Sequence, residues 1–182
     1  MKIDWLPYCE VFNDPKKYDS KLYLKEAYYV ASKSTDPSTT NGAIIVSQDS
    51  MFRSISACNS FPTGVKETEQ RWNRDVKYSY VEHAERNVIF KCFKLGIPTK
   101  NPIMYCTWYA CCDCARAIIQ SGITKVIGHA AMLRNSPDRW KDSIIRAFEM
   151  MESAKIECYA YDGQIFENNP PQLRFNGEIW KP

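Results

Sequence analysis

Two short motifs constrain this chain more than any other feature of its 182 residues. The first is His83-x-Glu85, and the second is Cys111-x-x-Cys114, which follows a short way downstream. Imidazole and thiolate are the ligands that zinc prefers; structural sites use four protein ligands, whereas catalytic sites use three and keep an open position. The two motifs therefore predict that two segments distant in sequence meet in the fold around one metal ion.

Each motif lies at the start of a predicted helix. Residues 83–95 and 111–121 read as helices, and glycine or proline follows the end of each one. A helix N-terminus carries positive partial charge, which helps to keep Cys111 and Cys114 as thiolates. Two neighbouring helix N-termini would present all three ligands to one ion.

Glu85 distinguishes a catalytic metal site from a structural one. Two thiolates offset the charge of Zn²⁺, and a nearby carboxylate can then accept a proton from a bound water. The alternative is a structural zinc site with Cys106 or Cys112 as a fourth ligand, although Cys112 lies inside its motif and should point away. The second histidine, His129, follows an apolar strand, so we interpret it as a packed or surface residue.

The other segments alternate between strands and helices, which is typical of a three-layer α/β/α fold. Residues 43–47 and 52–58 predict an antiparallel hairpin, so the five-stranded sheet would be mixed. Residues 59–79 form a long polar insert of the kind that is often functional. The further predicted elements are helices over 18–33 and 138–154 and strands over 103–108, 125–130 and 155–161.

We expect one domain over residues 1–182, with a core over about 20–160 and a C-terminal extension over 161–182 that packs on the body or on a neighbour. A net charge of +3 without a basic run argues against a nucleic-acid partner. No run of about 18 apolar residues predicts a membrane span. No secretory signal is recognised, so we expect a cytoplasmic protein whose eight cysteines are free thiols or metal ligands.

The metal motifs resemble those of the cytidine and deoxycytidylate deaminase superfamily, in which His-x-Glu and Cys-x-x-Cys mark the zinc site. The resemblance covers roughly residues 20–160, and the long insert before the histidine is similar to that of the deoxycytidylate branch. Four stretches carry it: "DPSTTNGAIIV" (36–46), "CNSFPTG" (58–64), "KYSYVEHAERN" (77–87) and "CARAIIQSGITKVI" (114–127).

The chain departs from the family pattern at two places. Ala110 stands where a proline is usual before the first cysteine, which removes no ligand. Ala57, Cys58 and Ser60 stand where Gly, Tyr and Gly are usual. In allosteric members this loop helps to bind nucleoside triphosphates, so the change weakens the implied regulation by dCTP and dTTP with Mg²⁺.

The resemblance implies a three-layer cytidine-deaminase-like fold and hydrolytic deamination of dCMP to dUMP, which would supply thymidylate synthesis. Zn²⁺ would be held by His83, Cys111 and Cys114, and Glu85 would carry protons from water to the ring nitrogen and the leaving amine. Family members assemble as homo-oligomers, often hexamers. Two alternatives stay open: another cytosine or purine nucleotide or nucleoside as substrate, and a non-catalytic zinc module that binds nucleic acid.

Substrate contacts are also implied by the resemblance. Asn59 would bind the deoxyribose, although it could merely shape a turn, and Tyr78 or Tyr109 would pack near the base or sugar. A 5′-phosphate needs cationic donors, among which Arg74 is one candidate. The other candidates are Arg53, Lys66, Arg71 and Lys77.

Overall fold

A computed structural model describes residues 8–47, 54–98 and 101–182. The strands of its central sheet are β1 (Glu10–Phe12), β2 (Gly42–Val46), β3 (Ser54–Cys58), β4 (Ile103–Cys106), β5 (Lys125–His129) and β6 (Glu157–Tyr161). They lie in the order β1-β6-β5-β4-β2-β3. Strand β2 is antiparallel to both β3 and β4, and the pairs β4–β5, β5–β6 and β1–β6 are parallel. The predicted mixed sheet is confirmed, with six strands instead of five.

The helices bury one side each, as their apolar spacing predicts. They are α1 (Ser20–Ala31), α2 (Arg74–Lys77), α3 (Ala84–Lys94), α4 (Cys112–Gln120), α5 (Ala130–Arg134) and α6 (Asp138–Ser153). In α1 the buried residues Leu24, Ala27, Tyr28 and Ala31 recur at helical spacing and face the sheet. Within the described residues, no helix combines the length and apolar character that a membrane crossing needs.

The helices form layers on the two faces of the sheet. Helix α1 packs against β2, β4 and β5, whereas α3 contacts α4 and α4 contacts α6 in the opposite layer. Gly42 permits the close approach of α1 to β2, because a Cβ atom there would lie 2.1 Å from the carbonyl oxygen of Ala27. The predicted three-layer α/β/α fold is confirmed.

Most predicted elements match the structure to within a few residues. Residues 52–53, the predicted start of the second strand, lie outside the described residues. The elements β1, α2 and α5, which have three, four and five residues, were not predicted from the sequence. Elements this short carry too few residues for a periodic pattern, and tertiary contacts stabilise them instead.

Three chain segments meet at one edge of the sheet, where β2 begins and where β3 and β4 end. Strand β4 ends beside the start of β2, where the backbone N–H of Thr107 donates to the carbonyl of Gly42 at 3.0 Å. The end of β3 lies beside the same point, because the N–H of Asn59 donates to the carbonyl of Asn41 at 3.1 Å. In open α/β sheets, ligands bind at the carboxyl ends of the parallel strands, so this edge is where a site is expected.

The C-terminal extension folds back onto the body as a small hairpin of β7 (Leu173–Phe175) and β8 (Glu178–Trp180). Asn176 and Gly177 join the two strands with φ of 55° and 91°, which is the Asn-Gly turn that favours a tight hairpin. The backbone of Thr40 donates to the carbonyl of Arg174 at 2.9 Å. The extension thus packs on its own chain, beside the start of β2.

His129 is buried where this extension meets α1. Its Nδ1 lies 2.6 Å from the Tyr28 hydroxyl, and the Trp180 ring lies 6.4 Å from the imidazole between ring centroids. Burial lowers the pKa of His129 to about 4. The interpretation of His129 as a packed residue agrees with this position, where burial favours the neutral imidazole.

We expect His129 to make folding stability depend on pH. Between about pH 6.5 and pH 4 the unfolded chain binds a proton at this position that the folded chain does not, so the free energy of unfolding falls as pH falls through that window. The loss reaches roughly 3 kcal/mol near the lower end. Urea unfolding of the wild type and of His129→Gln at several pH values measures it. The variant should show a flatter pH dependence, and equal slopes would contradict the assignment.

Candidate metal centre and active-site cleft

Three side chains from two helix N-termini form one compact group. His83 precedes α3 in an extended conformation, Cys111 precedes α4 in the same way, and Cys114 lies in the first turn of α4. The Nδ1 of His83 lies 3.6 Å from the Cys111 sulfur and 3.5 Å from the Cys114 sulfur, and the two sulfurs are 3.6 Å apart. A tetrahedral zinc site requires separations of about 3.6 Å for N···S and about 3.8 Å for S···S. The donor set and its spacing therefore fit Zn²⁺.

The two cysteine side chains form a sulfur–sulfur hydrogen bond. This hydrogen bond with Cys114 and the interaction with His83 lower the pKa of Cys111 to about 4, against the effect of burial. That hydrogen bond and burial raise the pKa of Cys114 well above its ordinary value. One cysteine is therefore a thiolate at neutral pH, and a dication favours loss of the second proton.

Arg86 supplies a positive charge beside the sulfurs. Its Nε donates to the Glu82 carboxylate, and its Nη1 lies 3.4 Å from Asp113 Oδ2. Burial lowers the pKa of Arg86, but the electrostatic effect of the Cys114 sulfur and the contact with Glu82 outweigh it and raise the pKa overall. Contacts with two carboxylates, those of Glu82 and Asp113, hold the guanidinium in place.

Glu85 lies in the first turn of α3, two residues after His83. Its carboxyl group is buried and contributes to the wall of the same cleft as His83 and Cys111. Burial raises the pKa of Glu85, while the positive charge of His83 acts in the opposite direction. A carboxyl group with a raised pKa, next to a site that can bind a metal and water, is suited to accept and release a proton.

The cleft above this group has a volume of roughly 550 Å³, including its open mouth. Trp140, from the first turn of α6, forms one side. Its ring makes edge-to-face contacts with Tyr78 at 5.6 Å, His83 at 5.8 Å and Trp108 at 6.2 Å between centroids. The indole nitrogen of Trp108 donates to Ser136 at 2.8 Å, which fixes that ring. The wall is rigid and aromatic, as a site for a flat heterocycle requires.

The opposite side of the cleft is a buried polar network around Asp36. The ammonium of Lys77 lies 2.6 Å from Asp36 Oδ2, and the amide of Asn59 donates to the same oxygen at 2.9 Å. Asn59 also donates to the carbonyl of Thr39 and accepts from the backbone of Asn41. Asn59 thus lines the cleft while its amide holds the 36–41 loop; its contact with a sugar stays a prediction.

The structure places the other predicted substrate residues in different settings. Tyr78 lines the cleft and is nearly half exposed. Tyr109 also lines it, but its hydroxyl lies 3.4 Å from the carbonyl of Val126 in the core. Arg74 does not line the cleft; it lies outside, 3.5 Å from the side-chain oxygen of Asn176.

The other cations proposed to bind the phosphate lie in different environments. Lys77 lines the cleft but is paired with Asp36. Arg71 donates to the carbonyl of Lys66 at 2.7 Å and lies over the Tyr80 ring. Arg53 lies outside the described residues.

Several residues that line or contact the cleft were not predicted from the sequence. Trp108, Trp140, Arg139 and Asp36 line it, and Asn176 contacts Arg139 from the C-terminal hairpin. The Asn-Gly pair at 176–177 is a hairpin signal that was present in the sequence. Nothing local in the sequence indicates that the start of α6 would meet the His83 helix.

The alternative of a structural zinc with a fourth cysteine finds no support among the described residues. The group of ligands contains His83, Cys111 and Cys114 only. The sulfur of Cys106 contacts the carbonyl of Trp108 at 3.0 Å, and that of Cys112 contacts the carbonyl of Ser143 at 3.2 Å. Both thiols are engaged elsewhere, which leaves a three-ligand site beside the cleft.

Three ligands, an adjacent buried carboxylate and an aromatic cleft on a three-layer α/β/α fold define a zinc-binding deaminase. The sequence model of the cytidine and deoxycytidylate deaminase zinc-binding region matches residues 17–130. The chain belongs to this family.

Individual relatives agree with that assignment. The chain is 35% identical over 123 residues to a deoxycytidylate deaminase of Pongo abelii, covering 62% of this chain and 67% of the relative. It is 31% identical over 139 residues to an uncharacterized deaminase of Aliivibrio fischeri, covering 76% of this chain and 90% of the relative. A crystal structure of the dCMP deaminase from the cyanophage S-TIM5, in complex with dCMP and dUMP, matches with a TM-score of 0.58 at 22% identity. That match covers 84% of this chain and all of the other, and it supports the fold.

We expect purified protein to contain about one zinc per chain, held by the three ligands. Cys111→Ser and Cys114→Ser should each weaken zinc binding by far more than the roughly 100-fold that loss of an outer hydrogen-bond partner costs. Cys112→Ser is the matched control, because its sulfur contacts Ser143 and not the ligand group. Metal analysis by plasma mass spectrometry, after dialysis against a chelator, measures the retention. Loss of zinc from the Cys112 variant alone would overturn the ligand assignment.

Proposed function

We propose that this protein is a zinc-dependent deaminase that hydrolyses dCMP to dUMP and releases ammonia. The observation that carries the proposal is the buried carboxyl of Glu85 beside a three-membered zinc ligand group at the floor of an aromatic cleft. The deoxycytidylate deaminases among its relatives support dCMP as the substrate.

The chemistry requires a nucleophile and a proton carrier. Zinc bound by His83, Cys111 and Cys114 would lower the pKa of a water molecule and supply the attacking oxygen. Glu85 would accept a proton from a water molecule and deliver it to the ring nitrogen N3 while the water oxygen adds to C4. Glu85 would then take the proton of the new C4 hydroxyl and pass it to the exocyclic amine, so that C4=O forms as the C4–N bond breaks. Water is consumed, ammonia leaves, and the carboxylate returns to its starting state.

The cleft walls fit the parts of a nucleotide. Tyr78, Trp108 and Trp140 would offer flat apolar surface for the base, and Tyr109 also lines the cleft. Asn59 holds the loop that would meet the sugar, and Arg74, which lies outside the cleft and contacts Asn176, is a candidate for the 5′-phosphate.

We extend the proposal to regulation, assembly and location. A second cleft, lined by Ala57, Cys58, Ser60, Lys91 and other residues, offers a place for dCTP or dTTP with Mg²⁺. Phe90, which lines this cleft, and Phe93, also of α3, are both exposed, which supports burial in a homo-oligomer such as a hexamer. We also propose one domain over residues 1–182 and a cytoplasmic location.

Glu85→Gln tests the catalytic role. The amide preserves shape but cannot carry the proton, so kcat should fall by about 10²–10⁴-fold while zinc content stays at the wild-type level. Glu26→Gln, on the exposed side of α1, is the matched control and should keep full activity. Ammonia release and zinc content are measured on the same preparations. Substantial turnover by the Glu85 variant would contradict the mechanism.

A panel of dCMP, deoxycytidine, cytidine, dCTP and dAMP, followed by ultraviolet absorbance, tests the substrate. We expect dCMP to give the highest kcat/KM. A preference for another member would keep the chemistry and reject the dCMP assignment. No turnover of any compound in the panel, together with strongly salt-dependent binding of RNA or DNA, would favour the non-catalytic module.

A further inference from the structure

The turn of the C-terminal hairpin lies at the mouth of the cleft. The backbone N–H of Asn176 donates to the Thr39 hydroxyl at 3.1 Å, and that of Gly177 donates to the carbonyl of Ser38 at 2.8 Å. Thr39 lines the cleft, and the Phe175 ring packs on Trp108 at 5.3 Å between centroids. These contacts fix the turn relative to the catalytic group.

The side-chain oxygen of Asn176 contacts two arginines that belong to different elements. Arg139, in the first turn of α6 and in the cleft lining, donates to it at 2.8 Å. Arg74, at the start of α2, lies 3.5 Å from the same oxygen. Each guanidinium has five N–H donors in a planar fork, so one shared amide oxygen uses a small part of their capacity.

Neither of these two guanidinium groups has a carboxylate within 4.0 Å in residues 8–47, 54–98 and 101–182. The nearby cation Lys77 differs, because Asp36 neutralises it. Asp138, the neighbour of Arg139, pairs with Lys141. Two like charges held at one neutral atom repel one another, and an anion between them would relieve the repulsion.

We propose that Asn176 is a positioning residue that holds Arg139 and Arg74 as a subsite for the 5′-phosphate, so that the C-terminal hairpin sets the preference for nucleotide over nucleoside. The inference rests on the proposed function and deepens it. Arginine forks bind phosphate oxygens in a bidentate manner, and the N-terminal end of α6 adds positive partial charge. Because Asn176 is neutral, it orients both cations without cancelling their charge.

The location of these residues separates the subsite from the zinc region. The family model matches residues 17–130, which include Arg74, whereas Arg139 and Asn176 follow this region in the chain. Phosphate recognition would then depend in part on α6 and the hairpin, which lie outside the matched region.

Asn176→Gly tests the role of the side chain while keeping the turn, because glycine tolerates φ of 55°. We expect the KM for dCMP to rise about tenfold with little change in kcat, and kcat/KM for deoxycytidine to stay constant. Arg139→Gln should raise the KM for dCMP by roughly 100-fold with the same selectivity. Asn169→Gly is the matched control, since Asn169 is exposed in the same extension and also has a positive φ of 51°.

Binding separates this inference from the proposed function. Titration calorimetry with dUMP and deoxyuridine should show tighter binding of dUMP to the wild type, and Asn176→Gly should reduce that difference. This result would support the subsite even if dCMP were not turned over, in which case only the proposed reaction fails. Equal changes for dCMP and deoxycytidine in Asn176→Gly, or equal affinities of the wild type for dUMP and deoxyuridine, would overturn the inference.

Discussion

The close approach of two helix N-termini is the constraint on which the rest of this site depends. Helix α3 begins just after Glu82, whose backbone forms two hydrogen bonds with Ser60, so its start is tied to the end of β3. Asn87 reinforces this junction by donating to the carbonyl of Cys58 at 2.9 Å. Five residues separate the end of β4 from the start of α4, and β4 is fixed between β2 and β5.

The sheet therefore sets the distance between the N-termini of α3 and α4. This distance in turn determines how close the candidate metal ligands come to one another. Cys111 and Cys114 can bring their sulfurs within 3.6 Å of one another because both lie in one turn. His83 reaches them only because α3 and α4 pack side by side. The same packing buries Glu85 and raises its pKa, which gives the carboxyl group the proton affinity that acid–base chemistry needs.

The cationic side chains in and around the cleft differ in whether a carboxylate neutralises them. In the cleft lining, Lys77 forms an ion pair with Asp36, and the amide of Asn59 donates to the same carboxylate, so this part of the wall has no net charge. At the mouth, Arg139 and Arg74 meet at a neutral oxygen and keep their charge. A neutral interior suits an uncharged base, and a cationic rim suits a phosphate, so the two ends of a nucleotide would find different environments.

Local pattern explains which parts of this structure could be predicted from the sequence. The burial of Leu24, Ala27, Tyr28 and Ala31 follows from helical spacing within one segment. The mixed order of the sheet followed from a short hairpin preceding alternating strands and helices. Strand β1 was missed because three residues show no period, and it pairs with a strand far along the chain, with Glu10 opposite Tyr159.

By itself, the sequence indicated the candidate ligands, the adjacent acid and the fold class. His83 and Glu85 belong to one short motif, Cys111 and Cys114 belong to another, and strands alternate with helices along the chain. The tertiary structure alone decided which other groups surround these residues. Arg74 and Asn176 are 102 residues apart in the chain, and the pairing of Lys77 with Asp36 spans 41. No local spacing encodes such contacts; they arise when strands, helices and the returning hairpin pack together, and that packing determines which cations are neutralised and which stay available to a ligand.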